Sequence, residues 1–371
     1  MSQLQSLTQT ARPDAGKPKR KRSTKTTAAQ RKPSTEFDET QKVVHLPNTK
    51  ITTVSIYSTM LLQYPLYEWT VDMLNSGAST IRKLYMHLTP LPQETWKRFL
   101  NSITLPRLSD IALTATASFT DIRSFLINHP SIENLYLQGV EVPEGVWPPP
   151  RASVTIPILP HLTNITAHPF QLVWILDSLL LDKVASRYLI NITISLEYNY
   201  GTLAVSDFAL LDHTLERIAA LPRRIVLNLS FRATRNSDAY DWFEEHLATT
   251  NDDPKSSVIS RLNNVTSLHI LLWAGFECDW VVEVLPNWLG MFPNVTAIGF
   301  MGLLSTQNVS KWKNKEFVRK VAMACQTAGW LCVDGQTLCL EEVRKDAEGG
   351  QGSETDGSAL TEVESSTGGA F

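Results

Sequence analysis

Pro106-Arg107-Leu108-Ser109-Asp110-Ile111 carries a phrase that returns along the chain: proline, one spacer, an apolar residue, two spacers, another apolar residue. The other copies are Pro130-Ser131-Ile132-Glu133-Asn134-Leu135, Pro160-His161-Leu162-Thr163-Asn164-Ile165 and Pro293-Asn294-Val295-Thr296-Ala297-Ile298. Proline lacks a backbone donor and biases the residue before it away from the helical region, so each copy reads as the end of a helix and the start of a strand. Internal repetition of this kind implies a solenoid, in which each unit buries its apolar face only by stacking on its neighbours.

Working outward, the strand phrases align on apolar-x-x-apolar-x-apolar. They begin near Ile51, Ile81, Leu108, Ile132, Leu162, Leu189, Arg224, Val265 and Val295, a mean spacing of about 30 residues. Ala167 stands where the Leu162 unit expects its last large apolar residue. The 41-residue interval from Arg224 to Val265 implies an inserted loop, placed at the polar Thr249 to Ser257. Between strands lie amphipathic stretches: Glu94 to Ile103, Phe119 to Asn128, Phe170 to Ser186, Val205 to Ala220, Asp238 to Ala248, Asp279 to Met291 and Lys313 to Ala328. The pattern predicts an α/β fold, an irregular leucine-rich-repeat-like solenoid of about nine units with a parallel sheet on one face and outer helices on the other. Asp334-Gly335, flanked by apolar runs, predicts a terminal β-hairpin that caps the sheet edge. Glu141 to Pro157, with Trp147 and Pro148-Pro149-Pro150, reads as a loop.

Charge divides the chain into three parts. Residues 1–42 carry +6, residues 43–343 carry −5 and residues 344–371 carry −4. The first and last parts are poor in large apolar side chains and are expected to be a disordered basic tail and a disordered acidic tail around the repeat body. No run of about 18 apolar residues suggests a membrane span, and no secretory signal is visible at the start. Cys278, Cys325, Cys332 and Cys339 are few, and the last three stand seven apart. That is wrong for zinc pairs and for a disulfide framework, so they read as buried thiols with no metal and no cofactor.

LPRLSDIAL, HPSIENLYL, LPHLTNITA and FPNVTAIGF, with FTDIRSFLINHP between two of them, resemble the leucine-rich-repeat regions of fungal F-box-like proteins, over roughly residues 43–343. The resemblance implies a protein-binding role and, in the family, an N-terminal F-box docked on a ubiquitin-ligase adaptor. Glu36 to Lys50, the segment before the first repeat, is too short and polar for a three-helix F-box. A substrate-recognition subunit of a cullin-type ligase, its F-box lost or degenerate, is therefore the alternative reading. The Asn expected after the strand of regular repeats is also missing from most units.

Three sets of residues are candidates for function. Lys17, Lys19, Arg20, Lys21 and Arg22 form a dense cationic run that suits the acidic groove of a nuclear import receptor and points to the nucleus, with the cytoplasm as the alternative. An acidic body without a zinc finger or basic zipper argues against specific nucleic-acid reading. On the expected concave face, the column Ser55, Tyr85, Ala112, Tyr136, Thr166, Thr193, Asn228, His269, Gly299 runs beside Lys83, Asp110, Asn134 and Asn164. Of these, Lys83, Tyr85, Asp110, Asn134, Tyr136, Asn164, Thr166, Asn228 and His269 are the candidate contacts to an unidentified partner protein. Six Asn-x-Ser/Thr triplets, at Asn164, Asn191, Asn228, Asn264, Asn294 and Asn308, match the alternation of strand side chains and read as structural. Trp174, Trp242, Trp280 and Trp288 read as core. No catalytic motif is present, and Glu244-Glu245-His246 and Glu341-Glu342 read as solvated charges, so no catalytic residue is expected. An α/β enzyme with a doubly wound sheet is the second alternative.

Overall fold

The computed structural model describes residues 50–87, 91–114, 117–138, 158–182, 184–196, 208–231, 236–253, 256–271, 279–301, 315–333 and 335–349. The chain divides between Asn48 and Thr49, and every described residue belongs to the second unit, Thr49–Phe371. The expected basic tail with Lys17 to Arg22, the whole loop from Glu141 to Pro157, and Cys278 lie outside the described residues.

The second unit is α/β, built on one sheet of eleven strands in sequential order. The strands are β1 (Thr53–Ile56), β2 (Lys83–His87), β3 (Asp110–Thr114), β4 (Asn134–Gln138), β5 (Asn164–Ala167), β6 (Asn191–Ser195), β7 (Ile225–Ser230), β8 (Val265–Leu271), β9 (Ala297–Met301), β10 (Trp330–Val333) and β11 (Gln336–Cys339). All neighbours pair in parallel except β10 with β11, which form the expected hairpin around Gly335 at φ 81°. The order never reverses, so the described sheet lacks the switch point of a doubly wound fold.

Among the described residues nine α-helices connect or follow the strands: α1 (Leu66–Ser76), α2 (Gln93–Ser102), α3 (Phe119–Asn128), α4 (Pro169–Leu180), α5 (Phe208–Ala219), α6 (Asn236–Asp252), α7 (Asp279–Leu289), α8 (Lys315–Ala324) and α9 (Leu340–Gly349). Local chemistry sets their ends. Ser118 caps α3 by accepting the Asp121 N–H at 3.2 Å. His168 caps α4 in a reciprocal box with Gln171, and Pro169 occupies the first turn, where its missing donor costs nothing. Alternate strand residues such as Leu84, Ile111, Leu135, Ile165, Ile192 and Leu227 are buried in one continuous core with Trp96, Phe125, Trp174, Trp242 and Trp288. Ala167 is also fully buried, and the following α4 is buried along nearly its whole length.

Three expectations are corrected. The long interval before β8 is taken up largely by the 17-residue α6 and a 3-10 turn at Ile259–Arg261, so Thr249 to Asp252 are helical rather than loop. The boundary expected between residues 343 and 344 falls inside α9. There Leu340 is buried, and the Arg344 guanidinium donates to the carbonyls of Ala322 at 3.1 Å, Cys325 at 3.3 Å and Ala328 at 3.0 Å. A cation at the carbonyl end of α8 satisfies acceptors that the helix itself leaves open. Finally, of the three described cysteines only Cys325 is buried, and burial pushes its thiol up to about 12 despite the nearby Arg344.

Candidate partner-binding face

Parallel in-register pairing turns single positions into columns. Lys83, Asp110, Asn134, Asn164, Asn191 and Val226 lie opposite one another on β2 to β7. Two residues further along each strand, Ser55, Tyr85, Ala112, Tyr136, Thr166, Thr193, Asn228, His269 and Gly299 are in register from β1 to β9. Both columns alternate with core residues and so occupy the face turned away from the core, the open face.

The first column is wired together. Asn134 Nδ2 donates to Asp110 Oδ1 at 3.0 Å, Asn164 Nδ2 donates to Asn134 Oδ1, and Asn191 Nδ2 donates to Asn164 Oδ1. Strands about 4.8 Å apart bring like side chains into the spacing of stacked amides, which explains the ladder. Its first member is a carboxylate: Asp110 also accepts from Ser109 Oγ at 2.6 Å and pairs with Lys83 Nζ at 3.4 Å. The row ends at β7, where Val226 can neither donate nor accept through its side chain.

Between the columns runs an open groove of about 200 Å³ crossing β2 to β6. Asp110, Asn134, Asn164 and Asn191 form one wall, and Tyr85, Ala112, Tyr136, Thr166 and Thr193 the other. The Tyr136 hydroxyl donates to Gln138 Oε1 at 2.6 Å. The Tyr85 ring lies 6.5 Å from His87, which stacks at 5.1 Å on Tyr57. An arrangement of amides, hydroxyls and aromatic rings offers hydrogen bonds and flat apolar area; no cluster of metal-ligating side chains occurs among the described residues.

Of the residues chosen from the sequence, the structure brings Tyr85, Asp110, Asn134, Tyr136, Asn164 and Thr166 together around this groove, with Lys83 reaching it through Asp110. Asn228 and His269 share the face but not the groove. Asn228 Nδ2 donates to the Ile192 carbonyl at 3.5 Å. His269 bonds to Ser267 Oγ at 3.0 Å and lies so close over Gly299 that a Cβ there would meet its Nδ1 at 2.7 Å; burial lowers its pKa. Asn191 and Thr193 also belong to the groove, beyond the contacts expected from the sequence. Their signal is the Asn-Ile-Thr triplet, present in the same phase at Asn164 and at Asn191.

A second polar cluster lies among the helices. His246 Nε2 meets Asp212 Oδ1 at 3.1 Å, its Nδ1 meets Ser257 Oγ at 2.9 Å, and Trp242 Nε1 donates to the same Asp212 oxygen at 2.9 Å. This corrects the reading of His246 as a solvated charge: Glu244 and Glu245 are exposed, whereas His246 is buried one residue further around α6. Ser257 is 2 % exposed and its Oγ accepts the Ile259 N–H at 3.3 Å, so the cluster ties α5, α6 and the following turn together. No known protein-family model and no curated protein sequence matches this chain.

Proposed function

We propose that the chain is a non-enzymatic binding protein, a leucine-rich-repeat-like solenoid that holds an extended segment of a partner protein along its open face. The observation that carries this reading is the groove itself. Five successive strands contribute to it at equivalent positions, so it is a product of the repeat rather than of one loop. Its length of four strand spacings, about 19 Å, matches five or six residues of extended peptide. Polar and tyrosine side chains on a rigid sheet hold a partner at low entropic cost.

The test compares proximity-labelling profiles of the wild-type chain and of Tyr85→Ala/Tyr136→Ala. A set of neighbours lost from the double variant, with the same melting temperature, supports the proposal. Identical profiles overturn it. The enzyme alternative draws on the Ser257-His246-Asp212 relay, but a buried hydroxyl already engaged by Ile259 N–H favours a structural role for that group.

Lys17, Lys19, Arg20, Lys21 and Arg22 complete the proposal as a nuclear import signal. Changing Lys19, Arg20, Lys21 and Arg22 to alanine in a chain fused to a large fluorescent tag should shift it from nucleus to cytoplasm. An unchanged distribution removes the nuclear assignment.

A further inference from the structure

The two ends of the sheet are finished differently. At one, β10 turns back into the antiparallel β11, and Arg344 of α9 donates to the carbonyls that end α8. At the other, β1 is the last described strand and pairs only with β2. The Thr52 carbonyl accepts from the N–H groups of Arg82 at 2.8 Å and Lys83 at 3.0 Å, so the alternation of a parallel ladder turns the backbone groups of Thr53 and Ser55 to the open edge. Native edge strands are guarded by charge or proline. The four residues of β1 include neither, and from Ile51 to Tyr67 the chain carries no charged residue at all.

The same end exposes apolar side chains. One flank of α1 packs on α2: the Tyr67 hydroxyl lies 3.3 Å from Ser102 Oγ, Asn75 Nδ2 donates to the Ser102 carbonyl at 2.9 Å, and Glu68 pairs with Arg98. At 3.6 residues per turn, Leu66 and Trp69 fall on the other flank, and both are exposed, Trp69 by 59 %. Thr70 Oγ1 donates to the Leu61 carbonyl at 2.7 Å, which holds the 3-10 turn at Thr59–Leu62 against α1 and leaves Met60 67 % exposed. Tyr64, between turn and helix, is 95 % exposed, and Tyr57, just past β1, 70 %. At about 200 Å² per aromatic side chain, the three rings leave roughly 450 Å² in water. Met60, Leu66 and the edge of β1 carry this face toward the ~800 Å² per partner of a specific, stable interface.

We infer that this end binds a second copy of the chain, β1 lying antiparallel to its counterpart across a two-fold axis, with Met60, Tyr64 and Trp69 packed beside the joined strands. A two-fold axis sets like residues against like, which a charged face resists and a charge-free one allows. Residues 1–42, which precede this end, carry ten Lys or Arg and few large apolar side chains, and so make a poor cover for it. The hairpin closes the opposite edge of the sheet, so association stops at two copies instead of growing into a fibre.

The experiment weighs the full-length chain by sedimentation equilibrium and light scattering from about 1 to 100 µM. Twice the mass of one chain is expected at the upper end. Trp69→Glu should raise the dimer dissociation constant about 30-fold or more, because a buried Trp is the kind of side chain that anchors an interface. Ser55→Pro should weaken the dimer through the backbone: its N–H points away from β2, so the monomer tolerates proline while strand pairing does not. Both variants should keep the wild-type circular dichroism. Should Ser55→Pro fail to fold, Thr53→Lys puts a charge on the same edge in its place. Trp330→Glu, similarly exposed at the opposite end of the sheet, should leave the dimer intact. A single-chain mass at every concentration overturns the inference, whether the chain's own residues or a different protein cover this end. So does a dimer that persists undiminished in Trp69→Glu or in the edge variant, or one that Trp330→Glu dissociates.

Discussion

The two faces of the sheet solve different problems with the same strands. Toward the helices, most alternate residues are Leu and Ile, fully buried, and several polar groups among them are hydrogen-bonded: His168 with Gln171 and Phe170, His129 with Leu105 and Phe125, and Asp212 with His246 and Ser257, whereas the buried indole N–H groups of Trp96, Trp174 and Trp288 have no hydrogen-bond partner among the described residues. On the open face of β4 to β6 the residues between them, such as Asn134, Tyr136, Asn164, Thr166, Asn191 and Thr193, are amides, hydroxyls and a tyrosine that keep part of their surface in water. Removing a group from the first face leaves a cavity or an orphaned donor, whereas removing one from the second exposes a site to solvent. Stability should therefore reside on one side and recognition on the other.

The sharpest test of that division is Trp288→Ala. Trp288 is fully buried and packs on Phe243 at 4.8 Å, Phe292 at 5.0 Å and Trp242 at 5.6 Å between ring centroids. Truncation should cost about 3–5 kcal/mol in urea denaturation. A loss below about 1 kcal/mol would break the comparison at its strongest point.

Acid provides the next largest effect. Burial lowers His168 from 6.5 to about 3, so the folded chain keeps it neutral while the unfolded chain protonates it near 6.5. Protons then bind the unfolded state preferentially: the contribution is complete above pH 6.5 and is lost as pH falls toward 3. At pH 5 the loss is about 2 kcal/mol. His168→Asn, still a capping residue, should flatten the fall in urea midpoint between pH 7 and 5. The flattening is partial, because burial also lowers His129. An unaltered slope in His168→Asn would show that the cap is not the acid-sensitive group.

Ser257→Ala deprives both His246 Nδ1 and Ile259 N–H of a partner, an expected loss of about 1–2 kcal/mol by thermal or urea melting. A neutral outcome would mean that the Ser257 hydroxyl does not help hold α5, α6 and the following turn together. Asn164→Ala cuts the ladder at its middle and should cost about 1 kcal/mol, since water replaces part of what is lost. Tyr85→Ala and Tyr136→Ala should move stability by no more than about 0.5 kcal/mol while abolishing partner contacts. A larger destabilisation would place both faces under the same constraint.

The strand positions are readable in the sequence because proline and the apolar-x-x-apolar-x-apolar phrase specify phase as well as presence: one residue of slip would move Leu135 and Leu137 into water. That phase also carries the columns of the open face, down to Tyr85, Ala112 and Tyr136. Helix α1 escapes the reading because Pro65 and the exposed Leu66 and Trp69 obscure the buried spacing of Tyr67, Val71 and Leu74. The helical networks escape it too, since Asp212, His246 and Ser257 are distant in sequence and meet only through the packing of α5 on α6 and the following turn. The ladder lies between these cases. Its residues are visible as repeated Asn-Ile-Thr, yet the bonds among them depend on exact strand register, which a sequence phrase implies without displaying.

The ladder has a sense. Each amide nitrogen gives its proton to the preceding strand, from Asn191 through Asn164 and Asn134 to the carboxylate of Asp110, so the carbonyl oxygens all point the other way. One amide cannot turn over without setting oxygen against oxygen on one side and nitrogen against nitrogen on the other, so the row is fixed as a unit. Its two ends are therefore unlike: a bound carboxylate at β3 and the outward carbonyl oxygen of Asn191 at β6. A peptide laid along the row from amino to carboxyl end meets a different order of groups from the same peptide reversed. The face is thus a vector, and under the proposed binding role it would distinguish the direction of a chain as well as its composition.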